Sequence, residues 1–341
     1  MVTVLLLGAG GCADDDYDQF RTYFAAEPYG PTECNEKDAL LSGRRELRLY
    51  QSGNDDLAEV TRGLQRYYRR HGLSFYMTTP PEPLTLDYAL DTDNGTLQRQ
   101  LIERFPGVDF NDEAKVMADP ALYDQILTFT LNFLFKPVTT FARAHVVGPG
   151  VTNVVLLHQL ERPGFDKVFP PGGALAGLAI SPPLLQTFVS SGLEEGRIWE
   201  GIDLPPDFTP MMFLDGTVLG LLGKHASVVR DLVVAHEFGH TTALVHREQP
   251  ENLMFPNVAI GRSSCSDSLT GDQLTTMRTA LGFSPVRQAL VQVDDPREKN
   301  LGRDNALSHA QRFAPRRFVA MLRGDPPATR ELLAPFVHPI H

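Results

Sequence analysis

The sequence predicts an α+β fold, and three observations carry that reading. Segments with strand character and segments with helical periodicity both occur, ordered as a strand, helix, strand unit, then three strands, then two helices. With 42% hydrophobic and 21% charged residues in 341, the chain can bury a sizeable core, as one large or two modest domains. No apolar stretch reaches the ~18 residues that a membrane-crossing helix needs. The longest, Ile126 to Phe135, is broken by Thr128, Thr130 and Asn132.

Leu47 and Leu49 alternate with Arg48 and Tyr50 as in a strand. Asn54 or Asp55 can then cap a helix in which Leu57, Val60, Leu64, Tyr67 and His71 recur at helical spacing. Gly72 is a natural helix stop, Leu73 to Met77 reads as a second strand, and Pro80-Pro81 ends the unit. From 82 to 150 the pattern loosens into a block that reads as an insertion, its run at 126–135 compatible with helix or strand. The next strand candidates are Val151 to Leu160, turning at Glu161 to Gly164, then Ala174 to Ser181 before a Pro182-Pro183 stop, and Met211 to Leu214. A helix follows from Ser227 to Ala243. The last helix opens at Thr270, which forms a T-x-x-Q capping box with Gln273, and carries Leu274, Met277 and Leu281 on one face before Gly282. The expected organisation is a signal-like segment at 1–12, a tether at 13–43, a folded domain at 44–285 with its insertion at 82–150, and a basic extension of short amphipathic helices at 286–341.

Acidic side chains outnumber basic ones 42 to 31, a net charge of −11, so the surplus of Lys and Arg that phosphate recognition draws on is missing and a nucleic-acid partner is not expected. Three cysteines without a CxxC pair make neither a disulfide scaffold nor a zinc finger. Met1 to Gly11, MVTVLLLGAGG, followed by Cys12, resembles the end of a bacterial lipoprotein signal, in which the cysteine is lipidated. That implies an exported chain: periplasmic, secreted, or held at the cell surface by lipid on Cys12. A dinucleotide loop at Gly8, Gly10 and Ala13 is rejected, because Asp14, Asp15 and Asp16 would fall where a pyrophosphate should sit.

Chemistry-bearing residues concentrate in HEFGHTTALVHREQPENLMFP, residues 236–256. His236 and His240 stand four apart on the expected helix, about 40° in direction and ~6 Å in height from each other, so two imidazoles can aim at one metal ion. Glu237 lies between them, placed to take a proton from a water that the metal activates. His246 is the best third ligand. On a continuous helix it would lie ~15 Å along the axis from His236, so the chain must leave the helix near Ala243 and turn back.

This segment resembles the metzincin metalloproteases, whose pattern is H-E-x-x-H-x-x-G-x-x-H followed by a methionine turn. Asn252-Leu253-Met254-Phe255-Pro256 is similar to that turn, at the spacing of the matrixin branch. The resemblance implies a twisted five-stranded mixed sheet, an active-site helix and a smaller C-terminal subdomain. It implies a zinc endopeptidase acting on protein or peptide substrate, with His236, His240 and His246 as zinc ligands, Glu237 as general base and then acid, and Met254 as the floor of the site. It also makes Ala174 to Ser181 similar to the antiparallel edge strand that pairs with extended substrate.

Ala243 departs from the family glycine, and a non-glycine residue in a left-handed exit costs ~1–2 kcal/mol. No PRCGxPD motif occurs upstream. Two other readings stay open: a gluzincin-type enzyme with a downstream glutamate in place of His246, and a non-catalytic zinc-binding lipoprotein, against which the retained Glu237 argues. If Cys12 is lipidated, Cys34 and Cys265 remain as an even pair, expected to form a disulfide, with a zinc-blocking Cys34 thiolate as the alternative. Asp91, Asp93, Asn94 and Gly95 resemble an EF-hand opening, but Gly95 falls one position early, so calcium is not supported. The remaining histidines read as packing or surface residues.

Overall fold

A computed structural model describes residues 43–53, 57–69, 71–91, 94–110, 112–162, 174–190, 202–225, 227–247, 249, 252–255, 269–282 and 337–340. Strand β1 (Gly43–Gln51) leads into helix α1 (Leu57–Arg69) and strand β2 (Leu73–Tyr76). Gly72 breaks the helix with φ +76°, as its place in the sequence suggested. Two short strands follow, β3 (Glu82–Pro83) and β4 (Leu90–Asp91), and then four helices, α2 (Asn94–Arg104), α3 (Glu113–Ala118), α4 (Pro120–Leu134) and α5 (Lys136–Ala144). Strands β5 (Val151–Leu157), β6 (Glu161–Arg162) and β7 (Ala174–Ile180), helix α6 (Pro182–Ser190), strand β8 (Met211–Asp215) and helices α7 (Gly216–His225), α8 (Ser227–Thr241) and α9 (Gly271–Ala280) come next. Strand β9 (Val337–Ile340) is last.

The main sheet runs β2-β1-β5-β8-β7-β9, with β3 also beside β1. Pairings from β2 through β8 are parallel, and β7 is antiparallel to both β8 and β9. The sheet therefore has seven strands where five were expected. The two additions are segments of two and four residues, too short to show a period in sequence.

Alternation along the strands assigns the two faces. Leu47, Leu49, Val154, Leu156, Met212 and Leu214 pack with α1, α7 and α8, while Tyr50, Val155, Leu157, Met211 and Phe213 pack with α4 and α5. Every residue of β5 is buried because both faces are covered, which is why its sequence VTNVVLL shows no polar alternation. Helices of the 82–150 block thus form a layer on the sheet.

Several local expectations are corrected. The run at 126–135 is helical, within and just past α4, which starts from Asp119 capping Ala121 and Leu122 with Pro120 in its first turn. The strand before Pro182-Pro183 ends at Ile180, as expected, but the prolines also open α6: Ser181 accepts the Leu184 N–H at 3.2 Å, and proline fits a first turn whose N–H groups need no helical partner. Glu161-Arg162 is a strand paired with β4, not a turn. Residues 337–340 are a strand, not part of an amphipathic helix. Asp91 belongs to β4 while Asn94 and Gly95 open α2, leaving no room for a twelve-residue calcium loop. Cys12, Cys34, Cys265, Asp93, Pro256 and most of 286–341 lie outside the described residues. Among the described residues no helix is long and apolar enough to cross a membrane.

Candidate metal centre

Helix α8 is buried on all sides, between the sheet and α1. Tyr68 of α1 donates its hydroxyl to the Ala235 carbonyl at 2.8 Å, one residue before the motif begins. Arg66 donates to Asp231 at 2.7 and 2.9 Å, a second tie between the same helices. The segment that carries His236, Glu237 and His240 is therefore held by the core, not by a loop.

The helix ends as the third ligand requires. Leu244 N–H bonds to the Gly239 carbonyl at 3.1 Å and Ala243 N–H to the His240 carbonyl at 3.2 Å, a Schellman arrangement with Ala243 at φ +68°. The reversal brings His246 back. His236, His240 and His246 are all buried, and their ligand nitrogens lie within 4.8 Å of one another. Among the described residues this is the one group of three or more His, Cys, Asp or Glu placed to hold a metal ion.

Second partners fix which nitrogen each ring offers. His236 Nδ1 is 2.6 Å from the Leu253 carbonyl, and His240 Nδ1 is 2.7 Å from the Leu244 carbonyl. A carbonyl only accepts, so both Nδ1 atoms carry the proton and Nε2 bears the lone pair of the neutral ring. Burial holds His236 down at about 4, so its neutral form prevails at neutral pH, with the Leu253 bond opposing only in part. The two Nε2 atoms then face each other at 3.2 Å, acceptor against acceptor. Two lone pairs repel at that distance unless a cation sits between them. Both oxygens of Glu237 are buried without a hydrogen-bond partner among the described residues, and burial pushes its carboxyl well above the usual carboxylate range. The donor set and the orphaned carboxylate both fit a cation held by the three imidazoles.

Two glycines give the site its room. A Cβ on Gly177 of β7 would stand 2.5 Å from Glu237 Cγ, and one on Gly239 would stand 2.6 Å from Met254 Sδ. Met254 is fully buried, with its sulfur beside Gly239 of the motif helix. Its turn is pinned by Asn252, whose Oδ1 accepts from Met254 N–H at 2.9 Å and from Gln273 Nε2 at 3.0 Å, while its Nδ2 donates to Gln273 Oε1 at 2.8 Å. Gln273 is thus at once the capping-box residue of α9 and the clamp on the turn.

His236, His240 and His246 converge, as their spacing suggested, while Glu237 lies against Gly177 and Met254 against Gly239. His71 packs on Tyr67 and Tyr68, and His145 stacks on Phe141, so both are packing residues. Sequence reasoning missed Gly177, the Leu244 and Leu253 carbonyls and the clamp on Asn252. A glycine inside a strand, Gly177, was a legible hint of close approach, whereas a carbonyl leaves no mark in sequence. Neither protein-family models nor curated proteins give a match to this chain.

Proposed function

We propose that this chain is a zinc-dependent endopeptidase of matrixin-like metzincin type, in which His236, His240 and His246 hold the metal. The observation that carries the reading is the cluster of His236, His240 and His246, whose ligand nitrogens lie within 4.8 Å of one another, on and just past a helix that also carries Glu237, whose buried carboxyl has no hydrogen-bond partner among the described residues. Two nitrogens each bound to one tetrahedral zinc stand about 3.4 Å apart, close to what these rings already adopt. When bound, zinc supplies a Lewis acid that lowers the pKa of water toward ~7 and polarises a scissile carbonyl.

The remaining work falls to the chain. Glu237 takes the proton from the attacking water and returns it to the leaving amine, and its burial, by raising its proton affinity, suits it to both steps. Leu253 and Leu244 carbonyls keep the rings turned so that Nε2 faces inward. Gly177 leaves space for the Glu237 side chain, and Met254 underlies the helix at Gly239. The gathering of His246 into the cluster favours this reading over a gluzincin-type site with a downstream glutamate. Cys12, with the apolar run before it, supports export, with lipid anchoring at that residue.

Metal analysis together with a peptide-library cleavage assay on wild type and Glu237→Gln tests the proposal. Wild type should bind one zinc and cleave, and Glu237→Gln should bind zinc equally while losing cleavage by a factor on the order of 10² or more. His246→Ala should lose zinc. A wild type that binds zinc and cleaves nothing would leave the non-catalytic binding module as the better reading.

A further inference from the structure

Strand β7 runs along the candidate site, from Gly177 against Glu237 to Ser181, whose hydroxyl donates to the His240 carbonyl at 3.1 Å. If the peptidase reading holds, this is the strand on which an extended substrate would lie. Its inner edge is taken by β8, from Gly177 opposite Leu214 to Ile180 opposite Met211. Its outer edge is not free either. Strand β9 lies antiparallel along it, with Ala174 opposite Ile340, Leu175 opposite Pro339 and Leu178 opposite Val337. The expectation of an open edge strand is therefore corrected.

The register places the occupant at the chemistry. From Leu175 to Leu178 is three steps on β7, but Pro339 to Val337 is two on β9, so Ala176 and Gly177 together face His338 across an irregularity. Gly177 is the residue at which an added Cβ would run into the Glu237 side chain. The backbone of β9 thus passes the edge at the level of the proposed general base, where an extended substrate segment would be presented.

We infer that residues 337–340 act as an intramolecular stand-in for extended peptide and hold the substrate edge of β7 against outside peptides. The regulatory consequence rests on the peptidase reading, while the occupancy itself does not. A strand in the same chain competes at an effective concentration set by its connection and not by dilution. The fit is also of a kind that can be released. β9 has only four residues, one of them a proline, and its register with β7 is interrupted between Leu175 and Leu178.

The test compares the full chain with two variants: one lacking residues 337–341, and one of full length carrying Val337→Pro and Ile340→Pro, whose N–H groups face opposite edges of a strand, so that one of the two losses falls on the β7 side. Binding of a labelled peptide LLAPFVHPIH, the sequence of residues 332–341, is followed by fluorescence anisotropy in wild-type and Glu237→Gln backgrounds. Both variants should bind it about tenfold or more tightly than the full chain does, and kcat/KM for a peptide substrate should rise with a fall in KM. Equal binding by full chain and variants overturns the inference. Loss of cooperative unfolding in both variants also overturns it, marking β9 as a structural strand. If the variants capture peptide but no form cleaves any substrate, the occupancy stands and the peptidase reading falls.

Discussion

Ala243 occupies a backbone region at φ +68° that costs an L-residue with a Cβ roughly 1–2 kcal/mol, and it does so because the Schellman exit of α8 leaves no other path back to His246. Replacing it with glycine removes the strain but adds freedom to the unfolded chain, worth about 0.5–1 kcal/mol in the other direction. Ala243→Gly should therefore stabilise by about 0.5–1 kcal/mol, seen as a higher urea midpoint with an unchanged slope; a lower midpoint would refute the strained exit. Glu237 makes an opposite demand. Its folded-state pKa is raised, so the folded protein holds a proton where the unfolded carboxyl is already ionised. In the metal-free protein its contribution weakens as pH rises through that window and recovers as pH falls toward the ordinary carboxylate value. Glu237→Gln should thus raise the metal-free Tm most at alkaline pH, with the gap closing toward pH ~4.5. A gap that does not vary with pH would mean that Glu237 is not desolvated as described. Gly177→Ala should push the Glu237 side chain aside, since the new Cβ would meet Cγ at 2.5 Å. Cleavage should fall on the order of 100-fold with zinc stoichiometry intact, a split that steady-state kinetics and metal analysis would read together.

At the scale of elements, the turn at 252–255 owes its place to α9. Asn252 and Gln273 exchange both of their amide hydrogen bonds, and the Thr270 capping box fixes the end of the helix from which Gln273 reaches. Leu253, held in that turn, orients His236. Gln273→Ala should cost about 1–3 kcal/mol by leaving the buried Asn252 amide unpaired, and zinc affinity should drop roughly tenfold because the Leu253 carbonyl is no longer held. Competition with a chromogenic chelator would measure the second effect, and unchanged affinity would separate the turn from the site. Elements of this local kind were legible: α1, α8 and the capping box each announce themselves within one stretch of sequence. What was not legible is set by distant partners. That Pro182-Pro183 opens a helix as well as following the end of a strand depends on Ser181 capping Leu184 and on the packing of that helix. The pairing of β9 with β7 joins residues some 160 positions apart, for which a four-residue segment carries no signal.

Over the whole molecule, the site sits where one buried helix crosses a sheet covered on both faces, so the ligands cannot loosen without disturbing the core. The sequence showed the two covered faces only as mainly apolar runs without alternation in β5 and β8, since strands buried on both sides lose their period. It showed the helices of the 82–150 block as loosened pattern, because their apolar residues pack both on one another and on the sheet, so that no single stripe carries them. This placement couples metal to global stability. His236 and His240 lie on α8 and His246 follows its exit, so an ion bound to all three closes the reversal at Ala243, and the folded state alone assembles the set. Stability should then rise with the logarithm of free zinc, by about 2.7 kcal/mol at a concentration of 100 Kd, and fall on chelation. That corresponds to a Tm shift of several degrees for a chain of this size. The pH dependence follows from His236. Its pKa of about 4 in the fold keeps Nε2 free of protons well below the ordinary histidine range, so for this ligand the stabilising shift should persist through pH 6.5 and fade only as pH approaches 4. In the metal-free protein the same depressed value makes stability fall as pH drops from about 6.5 toward 4, because the unfolded histidine takes up a proton that the folded one refuses. Calorimetric scans with zinc and with chelator, repeated from pH 8 to pH 4.5, would follow both trends. A Tm indifferent to zinc at pH 7.5, or a zinc response that survives His236→Ala undiminished, would remove the metal from the account of this fold.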